Sequence, residues 1–173
     1  PPDVGLRRSG RWSVVVGEVG VRDSPVKGSP QDRTLGLDGL VVAAPPDRVE
    51  ATRALLARFR VPRVLAVVAG GEERQDSVKL GLEAVPPEAA WVVVHDAVRP
   101  FITPDIVERV LAAARVPGAA TCGWRVRETV KRVRDGVVET TLPREGLWLT
   151  QTPQAFRRAL LAEAHDKAAR EGY

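Results

Sequence analysis

The stretch WVVVHDAVRPF, residues 91–101, runs from four apolar residues straight into His95, Asp96 and Arg99. A carboxylate three residues ahead of a guanidinium, at the end of an apolar run, suits two kinds of chemistry. It forms an ion pair that ties down a loop, or Asp96 holds a divalent cation while Arg99 faces a phosphate, an arrangement that shields a polyphosphate leaving group. His95 is a base in the second reading and a hydrogen-bonded neighbour in the first. A second candidate is AGGEERQDS, residues 69–77, in which Gly70 and Gly71 allow positive φ and close backbone approach just before a helix start whose N–H groups face outward. Arg74 and Lys79 add positive charge there; the plainer alternative is a loop in which Asp76 or Ser77 caps the helix. A third, LPREGLWLTQTPQAF at residues 142–156, sets Arg144, Trp148, Thr150 and Thr152 between apolar anchors. It reads as a loop and cap before a helix with Phe156, Leu160 and Ala164 inward, and its residue types alone name no ligand.

These residues act together only if the chain brings their loops to one place. From residue 39 onward, β-branched runs alternate with 3.6-period helices, with Gly or Pro at the joins. GLVVAA (39–44) reads as a buried strand, and the helix after it places Val49, Thr52, Leu56 and Phe59 on one face. RVLAVVAG (63–70) is the next strand, followed by a helix with Val78, Leu82 and Val85 inward, and then by the strand AWVVVHD (90–96). Thr103 caps a helix with Pro104 in its first position and Val107, Val110, Leu111 and Ala114 inward, and AATCGW (119–124) is a further strand. This pattern predicts an α/β fold with a mostly parallel sheet, strands near 39–44, 63–68, 90–95 and 118–124, covered by helices on both faces. Ligands of such sheets sit beyond the carboxyl ends of the strands, so the loops carrying Asp96 and Gly70 are expected to converge on one edge. Residues 129–142 differ. They alternate in short runs around Asp135-Gly136, a type I′ turn pair, and predict a protruding β-arm that embraces a partner subunit, against the alternative of a plain surface hairpin. Residues 1–38 are irregular: WSVVVGEVGV suits a strand, but RDSPVKGSPQDRTLGLDG is turn-rich, with two Ser-Pro steps.

Composition sets the bounds. At 173 residues, with 44% hydrophobic and 28% charged content, the chain suits one domain over 1–173. No apolar run approaches the ~20 residues of a membrane span, and the start lacks the apolar core of a secretory signal. The single cysteine, Cys122, forbids an internal disulfide, and these features together predict a cytoplasmic protein without a membrane partner. A net charge of +4 is compatible with nucleic acid. The arginines alternate with Glu and Asp along the helices, however, and only 5% of residues are aromatic, so no nucleic-acid partner is expected. The arginine surplus suits phosphate equally well, since a planar guanidinium grips it with two hydrogen bonds.

Taken in order, VVAGGEERQDSVKLGL, VVVHDAVRPF, RVRETVKRV, TLPREGLW and QTPQAFRRALLAEAH closely resemble the 2-C-methyl-D-erythritol 4-phosphate cytidylyltransferases of the non-mevalonate isoprenoid pathway, over roughly residues 39–173. HDAVRP also occurs in the related ribitol-5-phosphate cytidylyltransferases, the alternative that RETVKRV with TLPREGLW disfavours. The resemblance implies a Rossmann-like nucleotidyltransferase fold, a three-layer sandwich, and a homodimer joined by the β-arm. It also implies Mg²⁺-dependent transfer of CMP from CTP to a sugar-alcohol phosphate with release of pyrophosphate. On this chain it implies nucleotide-binding positions at Gly70, Gly71, Glu72 and Ser77, with Arg74 nearby, Glu72 standing where Asp is common. It makes Asp96 the metal ligand, sets Ala97 and Arg99 beside the nucleotide, and has Thr129 and Arg144 reach across a dimer to the methylerythritol phosphate, with Thr152 on the substrate side. Asp96, Arg99, Thr129 and Arg144 form the implied catalytic set. The family's AAGxGxRMG loop and the lysine of its PKQ step are not reproduced in VVVGEVGVRDSPVKGSPQ, where Lys27 lies nearby but unaligned, and the family continues past AAREGY through a TDD segment and a late lysine. An aberrant start, a truncated end, weak CTP binding and little turnover are the expectations for this stretch by itself. A noncatalytic dimeric scaffold is the reading of another class that the missing phosphate loop favours.

Overall fold

A computed structural model of the chain describes residues 14–19, 37–99 and 101–172. Lys27 and residues 20–31, the larger part of the segment that does not reproduce the family's phosphate loop, lie outside them. Strands β1 (Val14–Val19), β2 (Gly39–Ala44), β3 (Val64–Ala69), β4 (Trp91–Asp96), β5 (Ala119–Arg125) and β8 (Trp148–Arg157) form a six-stranded sheet in the order β3-β2-β1-β4-β8-β5. Strands β6 (Val130–Arg134) and β7 (Val137–Leu142) form a separate two-stranded sheet. The helices are α1 (Val49–Arg58), α2 (Arg74–Glu83), α3 (Pro104–Ala114) and α4 (Arg158–Glu171).

The four strands expected from the apolar runs all form and share one direction, because each is joined to the next by a helical crossover. The expectation of mostly parallel pairing fails nonetheless. Only the β2–β3 pairing is parallel, since β1 and β8 run against the rest and separate β2 from β4 and β4 from β5. Strand β8 enters the sheet from the hairpin rather than from a crossover helix, which dictates its antiparallel direction. Its sequence had read as a loop; Pro153 and the polar TQTPQ steps hide a central strand whose register shifts between Thr121 and Gly123 of β5.

Helices cover both faces of the sheet. Val92 and Val94 of β4 join Val41, Ala43, Val78, Leu82 and Leu161 in one cluster, against α2 and α4. Val93 points the other way, to Val107, Val110 and Ala114 of α3 and Ala155 of β8. Val42, Ala44 and Val67 form a third cluster, against Val49 and Leu56 of α1. This alternation explains why the strands are continuously apolar: consecutive side chains bury on opposite faces. The predicted α2 and α3 faces are the buried ones, and Thr103 caps α3 by accepting the Ile106 N–H. Two predicted faces are displaced. Phe59 lies beyond the end of α1 and is 68% exposed, and in α4 Leu161 rather than Leu160 is buried, because β8 runs on to Arg157 and starts the helix later. The Asp135-Gly136 pair takes φ values of 50° and 78°, both positive as a type I′ turn requires. Among the described residues no helix is long and apolar enough to cross a membrane.

Val107 is fully buried against the α3 face of the sheet. Val107→Ala is expected to lower stability by about 2 kcal/mol, the transfer of two methyl groups plus the cavity left behind. Urea unfolding at unchanged m-value checks this, with the solvent-exposed Val116→Ala as a control expected to stay within about 0.5 kcal/mol.

Candidate active site around Asp96

Asp96 is the last residue of β4, in the middle of the sheet, and its side chain is only 6% exposed. A carboxylate buried there needs positive partners. Two arginines supply them from different segments: Arg74 from the first turn of α2 donates Nε to Oδ1 at 3.2 Å, and Arg99 from the turn after β4 donates Nε to Oδ2 at 3.2 Å. The two loops expected at one sheet edge therefore meet on this carboxylate. The outer ends of both guanidinium groups are held by β8: Arg74 donates Nη2 to Gln154 Oε1 at 3.2 Å, and Arg99 donates Nη1 to Gln151 Oε1.

His95 is not poised as a base. Its Nε2 lies 2.9 Å from the Arg99 carbonyl oxygen, which only accepts, so Nε2 carries the proton. Nδ1 then accepts from the Thr152 hydroxyl at 3.1 Å, and that hydroxyl oxygen accepts the Asp96 N–H at 3.2 Å. Both ring nitrogens are committed, and Thr152 is a link that fixes the Asp96 backbone as well as a wall of the adjoining cavity.

The glycine loop works by close approach. Neither Gly70 nor Gly71 has positive φ, contrary to one half of the sequence expectation, but a Cβ on Gly71 would lie 2.2 Å from Asp76 Cβ, and one on Gly70 would lie 2.8 Å from Ser77 Oγ. Ser77 is 3% exposed and accepts the Gly71 N–H at 3.1 Å. Of the two expected caps of α2, Asp76 serves and Ser77 does not: Asp76 forms a capping box with Glu73, its carboxylate accepting the Glu73 N–H at 3.0 Å. Gly70, Gly71, Glu72 and Ser77 line a cavity of about 670 Å³, together with the Pro45–Asp47 turn after β2. Ala97 is exposed in the turn that the Arg99 N–H closes onto the Asp96 carbonyl at 2.9 Å.

A larger cavity, about 810 Å³, opens on the other side of Arg99 and Thr152, and Cys122, Trp124 and Trp148 line its wall. Burial pushes the Cys122 thiol up, against the opposing pull of a backbone hydrogen bond and of Arg99. Thr129 and Arg144 are not brought to Asp96. Thr129 is exposed at the foot of the hairpin, and Arg144 donates Nη1 to the Arg127 carbonyl beside Trp148 and Arg125. Gln151, Gln154 and Thr121 were not singled out from sequence; the one signal for the glutamines was the density of hydrogen-bonding side chains in LWLTQTPQ.

Among the described residues no three His, Cys, Asp or Glu side chains gather to hold a metal by themselves. The donor set fits instead a hard cation carried in on phosphates, which needs one carboxylate: each Asp96 oxygen accepts one N–H and retains a lone pair.

Residues 29–173 match the family model described as 2-C-methyl-D-erythritol 4-phosphate cytidylyltransferase. The chain is 45% identical over 135 residues to the protein of that name from Pelotomaculum thermopropionicum, covering 78% of this chain and 57% of the relative. It is similar to the crystal structure of the Thermus thermophilus 2-C-methyl-D-erythritol 4-phosphate cytidylyltransferase, with 35% identity and a TM-score of 0.60 over 76% of this chain and 75% of that one. The crystal structure of the 4-diphosphocytidyl-2C-methyl-D-erythritol synthase from Anaerococcus prevotii gives a TM-score of 0.68 at 26% identity, over 78% of this chain and 61% of that one. The chain spans about half the length of the curated relatives it matches. Matched by the family model over residues 29–173 and 45% identical to a curated relative over 135 residues, the chain belongs to the 2-C-methyl-D-erythritol 4-phosphate cytidylyltransferase family.

Proposed function

We propose that the chain transfers CMP from CTP to 2-C-methyl-D-erythritol 4-phosphate in the cytoplasm, on a Rossmann-like nucleotidyltransferase sandwich from which the 130–142 hairpin projects as an arm. The observation that carries the proposal is the buried Asp96 gripped by Arg74 and Arg99 at the edge where the glycine loop also ends. The cytosine sits against Gly70, Gly71, Glu72 and Ser77, whose close-packed backbone leaves no room for side chains at the two glycines. A phosphate oxygen of the acceptor attacks the α-phosphorus in line; its new O–P bond forms as the bond to the β-phosphate oxygen breaks, and pyrophosphate leaves with that electron pair. No enzyme group becomes covalently attached. Arg99 and Arg74 bind and orient the phosphates through guanidinium edges not used on Asp96, which stabilises charge growing on the phosphate oxygens. Asp96 would hold a Mg²⁺ ion through its remaining lone pairs, and that ion would supply Lewis-acid polarisation of the phosphates.

The hairpin supports a homodimer. Val133, Val137 and Val138 are more than half exposed on it, as are Trp148 and Leu149 near its foot, and an isolated two-stranded sheet is marginal in water. A second copy covering this face would bring its Thr129 and Arg144 towards the acceptor site.

Asp96→Asn is expected to lower CMP transfer at least ~10²-fold. It should also cost about 1–3 kcal/mol of stability, since an amide satisfies one guanidinium but turns its NH₂ towards the other. Pyrophosphate release per folded molecule is the measurement; an unchanged value would reduce Asp96 to an ion-pair anchor. Light scattering at micromolar concentration should report a dimer, and the Val137→Glu/Val138→Glu variant a monomer. A monomeric parent chain would remove the cross-subunit roles of Thr129 and Arg144.

A further inference from the structure

The hydrogen bonds around Asp96 close into a ring. From Asp96 Oδ1 the path runs to Arg74 through Nε at 3.2 Å, and from Arg74 Nη2 to Gln154 Oε1 at 3.2 Å. A guanidinium has no acceptor, so the Gln154 oxygen must face Arg74 and its NH₂ must face the other way, where Nε2 donates to Thr121 Oγ1 at 3.4 Å. The Thr121 hydroxyl donates in turn to the Gln151 carbonyl at 3.0 Å, sharing its proton with the Cys122 carbonyl at 3.1 Å. The Gln151 side chain accepts from Arg99 Nη1, and Arg99 Nε returns to Asp96 Oδ2 at 3.2 Å. Gln151 and Gln154 serve the same cluster although an odd spacing on a regular strand would point them to opposite faces. The register shift of β8 against β5, where Cys122 stands opposite the three residues 151–153, removes that opposition.

Each guanidinium is thereby gripped at Nε and at one Nη. Arg74 Nη1 and Arg99 Nη2 have no partner among the described residues, and both side chains are more than 30% exposed. A planar fork held on two sides with its third edge open is oriented before any anion arrives, which saves the ordering cost of two long side chains.

We propose that Thr121 and Gln154 are positioning residues: they close the ring that fixes the planes of Arg74 and Arg99, and so set two open guanidinium edges towards the nucleotide phosphates. This rests on the cytidylyl-transfer reading for its substrate, but the ring itself is testable without turnover. The 173-residue chain is labelled with ¹⁵N-arginine, and the Arg74 and Arg99 Nε–H signals are assigned with Arg74→Lys and Arg99→Lys. Hydrogen exchange at these two signals should be slow in the parent. It should accelerate roughly 3- to 10-fold in Thr121→Val, the loss of one hydrogen bond, and return to the parent rate in Thr121→Ser, which restores the hydroxyl. If Thr121→Val does not fold, Gln154→Leu breaks the ring at its next member and reads the same signals. In pyrophosphate release with CTP and 2-C-methyl-D-erythritol 4-phosphate, Thr121→Val should lower kcat by a similar factor, with Thr121→Ser matching the parent. Arginine signals in Thr121→Val and Gln154→Leu identical to the parent's overturn the ring, whatever the turnover. A parent chain with slow arginine exchange but no CTP binding detectable by titration calorimetry overturns the cytidylyl-transfer reading and leaves the ring standing.

Discussion

The carboxylate of Asp96 is the constraint around which this edge of the molecule is organised. It closes the central strand β4 where there is too little water to solvate a charge, and a carboxylate in that position is tolerated only with cationic donors on its oxygens. One donor comes from the residue that begins α2 and the other from the turn that leaves β4, so satisfying a single side chain draws together the β3–α2 loop, the β4–α3 loop and, through the glutamines, β8. The glycine loop owes its path to the same demand: Arg74 reaches Asp96 because Gly70 and Gly71 let the backbone pack directly against Ser77 and Asp76.

Ion pair and ligand are not competing descriptions of Asp96. Each of its oxygens spends one lone pair on a guanidinium, and each guanidinium spends two of its N–H directions on the protein. Capacity is left on both sides, and Arg99 also lines the larger cavity. Groups assembled this way are oriented in advance, so an anion reaching them would complete a network instead of creating one. His95 belongs to the same economy of partners. Its two nitrogens tie the Arg99 carbonyl to Thr152, and Thr152 ties back to the Asp96 amide, so the backbone on either side of the carboxylate is held as firmly as the carboxylate itself.

The hairpin obeys a different rule. Its turn chemistry is local, with Asp135 and Gly136 both at positive φ, but its strands bury little against their own domain. Arg144 and Thr129 stand at its foot and stay with it, apart from the Asp96 cluster.

The amino-acid sequence by itself determined the elements whose signal is local. The apolar runs marked β2 and β4, because a strand buried on both faces must be apolar at every position, and marked β3 and β5 at the two sheet edges although Leu65 and Trp124 there are exposed. Thr103-Pro104 marked the start of α3, and Asp135-Gly136 marked the turn. It also marked Asp96, Arg99 and the glycine loop, since charge and backbone freedom at strand ends are visible in one dimension. What only the tertiary structure decided was everything that depends on long-range pairing. The placement of β1 and β8 between co-directional strands, and so the antiparallel character of most pairings, follows from which strand edges meet, and no residue of WLTQTPQAFR announces it. The partners of Asp96 are likewise a matter of distance in space: Arg74 lies 22 residues away along the chain, and Gln154 lies 80 residues from Arg74. A hydrogen bond needs its two atoms within about 3.5 Å, a condition that sequence spacing cannot express and that only the packed sheet satisfies.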